Sequence, residues 1–388
     1  MKEGVVLKNG RDKSLKQKHP WIFSGAIDRF YDVENGGVYP VYSAQKEFLA
    51  LAYFHKDHSL CGRVLSFEDK PIQMIIRERL LKAFALREKL IDIRRTSCFR
   101  LVNAEGDGLP GLIIDQYNDI FVIQIGTLGI EKLKSCIVEL LVSLFSPQGV
   151  YEKSHSSSRV SEGLPPSEGV LYGTVPDEII VIENFIKFKV CISKSQKTGL
   201  FLDQREMRQL VYKHSQGKKV LNLFSYSAGF SLYAMAGGAL NVTSVDIDDD
   251  ACSYALDNTV LNGFSKENHH VYNQDVFKFL NQKMDHDFII LDPPAFAKKR
   301  KDIDNACKGY LEINKKALKG LPPSSLLLTC SCSYYISSEL FQNLVFQASQ
   351  SAERNVRIVS SHVLAQDHPI SIYHKEGSYL KSLLLFVD

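Results

Sequence analysis

The second half of the chain constrains the fold most strongly, because strand-like and helix-like apolar runs alternate there almost without interruption. After about residue 195 the order is strand KVLNLF, helix FSLYAMAGGA, strand VTSVDI, helix DDACSYALDNTVLNG, strand HHVYNQD, helix VFKFLNQ and strand DFIILDPP. A further helix, strand SSLLLTCS, helix SELFQNLVFQASQSA and strands VRIVSS and LKSLLLFV complete the series. Such alternation implies a parallel sheet covered on both faces. Ligands of these sheets bind outside the carboxyl ends of the strands, around the topological switch point, so chemistry is expected at those ends.

The first half reads differently. Residues 1–72 carry short β-like runs (GVVLK, GGVYPVYS, FLALAYF, CGRVLSF) separated by Gly, Asn and Asp, with a small insertion KQKHPWIFSGAI, and predict a compact, mostly β domain. IQMIIRERLLKAFALREKLI, residues 72–91, has apolar residues at helical spacing and predicts a connecting helix. From there to about 190, strand-like runs flank one amphipathic stretch, EKLKSCIVELLVSLF, and predict an α+β module. A Ser/Gly/Pro-rich loop is expected at 154–169. The expected domains are therefore 1–72, 73–192 and 193–388.

A chain of 388 residues exceeds one ordinary core, which agrees with several domains. Hydrophobic residues at 45% and charged residues at 23% describe a globular protein, and no apolar run approaches the length of a membrane span. The start, MKEGVVLKNGRDK, lacks an apolar core of the secretory type, and eight scattered cysteines then read as reduced thiols, so a cytoplasmic location without membrane attachment is expected. Net charge is only +3, yet Lys2, Lys8, Arg11, Lys13, Lys16, Lys18 and Arg29 outnumber the acidic residues of the first thirty positions. That excess fits either a phosphate-binding surface for nucleic acid, with Lys13, Lys16 and Lys18 as contacts, or a solvated charged face.

Three strand ends bear on a cofactor. The first turn, VLNLFSYSAGFS (220–231), places Asn222, Phe224, Ser225 and Gly229 between strand and helix, and its low glycine content argues against a dinucleotide or phosphate-cradling loop. Asp246 ends the second strand, where a carboxylate accepts from both hydroxyls of a ribose or else caps a helix. Asp275 ends the third, as an acceptor for an adenine amine or again as a cap. Asp248, Asp249 and Asp250 read as caps and dipole-compensating charges. Together these positions describe an S-adenosylmethionine pocket. No metal site is expected, since Cys-x-Cys lacks the usual ligand spacing.

The fourth strand ends in LDPP (291–294), and two prolines cannot continue a ladder, so Asp292 and Pro293 face the cleft, where both are expected at the cofactor and Asp-Pro-Pro also suits the polar edge of a flat base. Phe296 follows for stacking, with Lys298 and the basic residues after it for phosphate. The neighbouring strand delivers Cys330 and Cys332. Carbon 5 of cytosine is a poor nucleophile, and a thiolate added at carbon 6 activates it, so a cysteine is chemically apt beside the base. In a continuing strand both thiols share a face; a strand end between them separates their roles.

The motifs FRLVNAEGDGLPGLIIDQY (99–117), QKTGLFLDQREMR (196–208), VLNLFSYSAGFS, LDPPAFAK (291–298), SCS (331–333) and DHP (367–369) resemble the bacterial large-subunit ribosomal RNA cytosine (carbon 5) methyltransferases of the RlmI type. The resemblance spans nearly the whole chain. It implies an N-terminal PUA domain for RNA, a central α+β module, and a Rossmann-like class I methyltransferase domain whose seven-stranded sheet is parallel except for its last strand. It also implies that Cys332 is the nucleophile and Cys330 packs, and that Gln196, Lys197, Thr198, Asp203, Gln204 and Arg205 line the cofactor and substrate cleft. Lys197 and Thr198 are then expected at the cofactor, and Gln204 and Arg205 at the RNA. Ala295 stands where the family commonly has lysine, and Ser227-Ala228 where Thr-Gly is common. Asp292 is the candidate for removing the carbon 5 proton.

The expected function is therefore S-adenosylmethionine-dependent formation of 5-methylcytosine in 23S ribosomal RNA. Two other readings stay open on sequence: an RNA N-methyltransferase using Asp-Pro-Pro without a cysteine, and a non-catalytic RNA-binding assembly factor. The oligomeric state is also open, a homodimer included.

Overall fold

The alternating elements of the second half form one seven-stranded sheet in the computed structural model, which describes residues 3–388 apart from the Lys375 side chain. Its order is His269–Asn273, Asn241–Asp246, Lys219–Leu223, Phe288–Leu291, Ser325–Ser331, Lys381–Val387, Val356–His362. The first five strands are parallel, and Lys381–Val387 runs antiparallel to both neighbours. Each residue of Ser325–Ser331 is buried, as a central strand covered on both faces requires. One face packs helices Ile303–Gly320 and Ser338–Ala352 through Ile313, Ala317, Phe341 and Leu344; the other packs Arg205–His214 and Gly229–Ala236 through Met207, Val211, Phe230 and Ala234. Strand order reverses between Lys219–Leu223 and Phe288–Leu291, so the switch point lies where the two motif-bearing turns begin.

The chain divides into two compact units. The sheet just described belongs to the unit made of Glu183–Lys189, Asp203–Ala365 and Ser378–Asp388. The other comprises Met1–Ile182, Val190–Leu202 and Gln366–Gly377. It holds a six-stranded sheet ordered Trp21–Phe23, Leu60–Ser66, Phe48–Phe54, Val38–Tyr42, Gly4–Leu7, Ile27–Tyr31. It also holds a five-stranded sheet ordered Ser167–Gly173, Gly149–Ser154, Ile120–Ile125, Leu112–Tyr117, Cys98–Asn103. The helix Ile72–Leu90 sets Ile75, Ile76, Leu80 and Ala83 into one core with Ile114, Ile123 and Leu140. Within 154–169, expected as a loop, the structure has a short helix Ser157–Ser161 and the start of the strand Ser167–Gly173.

Two polar clamps hold the segments Val190–Leu202 and Gln366–Gly377 in this first unit. Lys153 Nζ donates to the carbonyls of Ile192, Ser193 and Ser195, holding that segment in the first unit. Arg87, fully buried, grips Asp107 through two hydrogen bonds and donates to the Asp367 carbonyl at 2.7 Å. Asp367 Oδ2 in turn accepts the Arg100 backbone N–H at 2.8 Å. The DHP motif is thus built into this unit. Gly106 permits the approach, since a Cβ there would lie 1.9 Å from the Pro369 carbonyl oxygen.

Candidate active site

The turn after Lys219–Leu223 departs from ordinary backbone. Phe224, Tyr226 and Ala228 have φ of 61°, 47° and 67°, a left-handed conformation that costs roughly 1–2 kcal/mol for each non-glycine residue. Backbone bonds from Ser225 N to Val245 O (3.1 Å) and Ala228 N to Ser225 O (2.9 Å) hold it. Strain of this kind concentrates where a backbone must be shaped around a ligand. Gly229 opens the next helix, and a Cβ on it would meet Arg208 Cδ at 3.2 Å.

Below the turn, buried Asn222 donates from Nδ2 to Ser231 Oγ at 2.9 Å, and Ser231 bonds Ser244 at 2.7 Å. The chain of bonds continues to His269 Nε2, with Thr259 at its Nδ1. Burial pushes His269 down to about 4, so the imidazole is neutral at physiological pH and serves as a relay of hydrogen bonds. Asn222 Oδ1 and Ser225 Oγ are buried and have no hydrogen-bond partner among the described residues. An unmet buried acceptor costs about 1–3 kcal/mol, so a polar ligand that supplies donors here stabilises the turn.

Asp246, Asp248 and Asp275 separate by geometry. Asp246 Oδ2 accepts Tyr226 N–H at 2.7 Å and Oδ1 accepts Asp248 N–H at 3.0 Å, which leaves each oxygen a second lone pair. Capping of Asp249–Leu261 falls to Asp248, whose Oδ1 accepts Ala251 N–H at 3.1 Å. Asp275 caps the short helix Val276–Phe279 through Lys278 N–H at 2.9 Å. A strained turn with two orphaned polar atoms, next to a carboxylate that has capacity left, fits a nucleoside cofactor with ribose hydroxyls. Asp246, Asn222, Ser225 and Gly229 would hold it, beside the half-buried Phe224.

At the adjoining strand ends, Asp292 Oδ1 accepts Gln204 Nε2–H at 3.0 Å, and Pro293 is buried. Gln204, expected at the RNA, is itself buried and orients this carboxylate. The strand bearing the cysteines ends at Ser331, between the two thiols. Cys330 is fully buried with Phe288, Leu328 and Leu384, and burial pushes its thiol well above the ordinary range. Cys332, past the strand end, is half-buried, with its Sγ 3.7 Å from the Pro293 carbonyl oxygen. Ser333 then accepts Ala297 N–H at 3.2 Å and bonds the Tyr310 hydroxyl at 2.9 Å, joining the two loops.

Other expected site residues are placed otherwise. Arg205 is 4% exposed and ion-paired with Glu183 at 3.4 Å, which also takes two 2.7 Å bonds from Arg208. Phe296 packs on Tyr310 with centroids 4.7 Å apart, half-buried in the protein's own aromatic cluster. Lys298 is exposed. Lys197 and Thr198 lie in the first unit, where Thr198 Oγ1 donates to Asp115 at 2.6 Å and Lys197 Nζ sits 4.8 Å over the Phe201 ring. Lys13, Lys16 and Lys18 are exposed there, with Lys16 paired to Asp12 at 2.7 Å and Lys18 Nζ 4.4 Å from the Phe67 ring centroid. Lys18, Phe67, Arg79 and Lys82 line a cleft of about 500 Å³. Sequence reasoning missed Lys381, a buried lysine that donates to the carbonyls of Ser333 and Tyr379, both at 2.7 Å.

Among known proteins, the profile of S-adenosylmethionine-dependent methyltransferases matches residues 167–357, and that of PUA-like domains matches 5–67. The chain is 40% identical over 390 aligned positions to ribosomal RNA large subunit methyltransferase I of Vibrio cholerae, covering 98% of each. It is 39% identical to the protein of the same name from Photobacterium profundum, over the full length of both. In fold it is similar to a putative SAM-dependent methyltransferase from Streptococcus mutans, with a TM-score of 0.85 at 24% identity, over 99% of this chain and 100% of that one. A putative methyltransferase crystallised with SAH gives the same score at 23% identity and the same coverage. Among the described residues, no helix is long and apolar enough to cross a membrane.

Proposed function

Since the chain belongs to the ribosomal RNA large subunit methyltransferase I family of S-adenosylmethionine-dependent enzymes, we propose that it methylates carbon 5 of a cytosine in large-subunit ribosomal RNA, with Cys332 as nucleophile. Such a substrate puts the activity in the cytoplasm. The observation that carries the reading is the contrast between two neighbouring thiols: Cys330 is sealed in the core, whereas Cys332 emerges beside Pro293 at the switch-point edge.

The bound cofactor supplies an electrophilic methyl group. The chain's own task is to make carbon 5 nucleophilic and then restore the ring. The Cys332 thiolate forms a bond to carbon 6, and the electron pair of the carbon 5–carbon 6 double bond moves to carbon 5. After carbon 5 gains its methyl group, a base takes the carbon 5 proton, the sulfur–carbon 6 bond breaks, and that electron pair returns to sulfur. Asp292, which takes a hydrogen bond from Gln204, accepts from the polar edge of the base in this reading. Asp246 accepts from the cofactor ribose.

An RNA carrying 5-fluorocytosine tests the reading, because fluorine cannot leave as a proton and the methylated adduct stays on the protein. Peptide mapping is expected to find the RNA on Cys332. Turnover of ordinary RNA by Cys332→Ala would move the enzyme to methylation of a base nitrogen.

A further inference from the structure

Lysine is seldom buried at the start of a central strand, and Lys381 is 6% exposed there. It opens Lys381–Val387, pairs in register with Ser331, and so stands across the ladder from the residue that precedes Cys332. Its Nζ donates to two carbonyls, Ser333 O and Tyr379 O, each at 2.7 Å. A neutral amine has two N–H bonds and one lone pair, so these acceptors use both hydrogens and leave the lone pair to receive a proton; the ammonium form gains a third donor in that direction. Burial pushes the lysine down and a negative charge on Cys332 pulls it partway back, which leaves it at about 8. Lys381 is thus an amine that exchanges protons near neutrality, and its neighbour Cys332 is the thiol at this strand end that is not sealed in the core.

We propose that Lys381 takes the proton of the Cys332 thiol and, as the resulting ammonium, holds Cys332 as a thiolate. The transfer is balanced: the sulfur–hydrogen bond breaks, its electron pair stays on sulfur, and the proton forms the third N–H of Lys381. Lys381 acts through Cys332 and is a positioning residue for it. The inference rests on the reading of Cys332 as nucleophile. Other titratable groups surround the pair. Asp203 is bonded to the Tyr379 hydroxyl at 2.5 Å, Glu206 and His362 line a cleft of about 370 Å³ with Lys381, and Asp292 stands at the adjacent strand end. A pH profile must therefore be read on the thiol itself.

The test is alkylation of the full chain by iodoacetamide, without RNA, followed by peptide mass spectrometry that reports the rate at Cys332 against pH. In the native protein the midpoint is expected below the ~8.5 of a free thiol. K381Q is expected to raise it by about 1–2 pH units while cofactor binding by calorimetry is kept, and K381R, which retains the cation, to keep it low. A native midpoint at or above the free-thiol value overturns the proposal, as does an unchanged midpoint in folded K381Q. Should K381Q not fold, the native midpoint and K381R decide. No methyl group moves in this assay, so loss of the Lys381 effect and activity of Cys332→Ala are separate results.

Discussion

The Ser333 hydroxyl accepts the Ala297 backbone N–H at 3.2 Å, and through that bond the turn after Cys332 is fastened to the loop after Asp292-Pro293. Both ends are buried, and the same hydroxyl bonds Tyr310, whose phenol burial raises to about 12, so it stays a neutral partner. The turn after Cys332 and the loop after Asp292-Pro293 are thus fixed to one another by a single side chain.

Ser333→Ala removes this shared partner and leaves a buried N–H unmet, at a cost of about 1–3 kcal/mol. Denaturant unfolding is expected to show that loss, and methylation to fall further than stability alone explains, because Cys332 and Asp292 are no longer held in register. Wild-type turnover in a folded Ser333→Ala protein would show that the loops are positioned by other contacts.

Asp246 and Asp248 invite a paired comparison. Asp246→Asn is expected to weaken S-adenosylmethionine binding by about 1.5–3 kcal/mol, since charged hydrogen bonds to two ribose hydroxyls become weaker or are lost. Asp248→Ala removes only a helix cap, for about 1 kcal/mol of stability and unchanged affinity. Calorimetry and thermal unfolding on both variants check this. Equal affinities for native protein and Asp246→Asn would confine Asp246 to its two backbone bonds.

What the sequence conveyed and what it concealed divide along a physical line. Period and punctuation are local, so the alternating run after residue 195 yielded the parallel sheet and the turns at Asn222 and Asp292, whereas the reversed last strand is expected only from the family resemblance. The cysteines are ranked by resemblance alone until the strand is seen to end at Ser331, between them. Partnership is not local. Nothing near Arg205 in sequence announces its ion pair with Glu183, nor anything near Gln204 its bond to Asp292. Arg87 lies among the charged residues of its helix and gives no hint of burial, because Asp107 and the Asp367 carbonyl arrive from remote segments. Lys381 reaches the Cys332 turn only through antiparallel register.

The Arg87 clamp makes a strong stability prediction. Arg87→Met keeps the apolar stem but leaves Asp107, 4% exposed, without its cation, which is expected to cost roughly 3–5 kcal/mol. The loss should appear in chemical unfolding of the full chain. A change within about 0.5 kcal/mol, the usual effect of a surface substitution, would mean the pair is replaceable by packing.

RNA binding by the first unit is expected to be mainly electrostatic, and the three lysines should differ. Lys16 is already paired with Asp12, so neutralising it displaces little additional charge. Lys13 is exposed, and Lys18 stands at a cleft shared with Arg79 and Lys82 and floored in part by Phe67. Each phosphate contact on a single strand contributes about 0.7 to the slope of log affinity against log salt. Lys13→Gln and Lys18→Gln are therefore each expected to lower affinity at low salt and flatten that slope by about 0.7, while Lys16→Gln changes it less. Discrimination among RNA sequences should stay as in the native protein, because phosphate contacts carry no base identity. Fluorescence anisotropy over a salt series measures all three variants. An unchanged slope in Lys18→Gln, or a loss confined to certain sequences, would remove the cleft from the phosphate-binding surface.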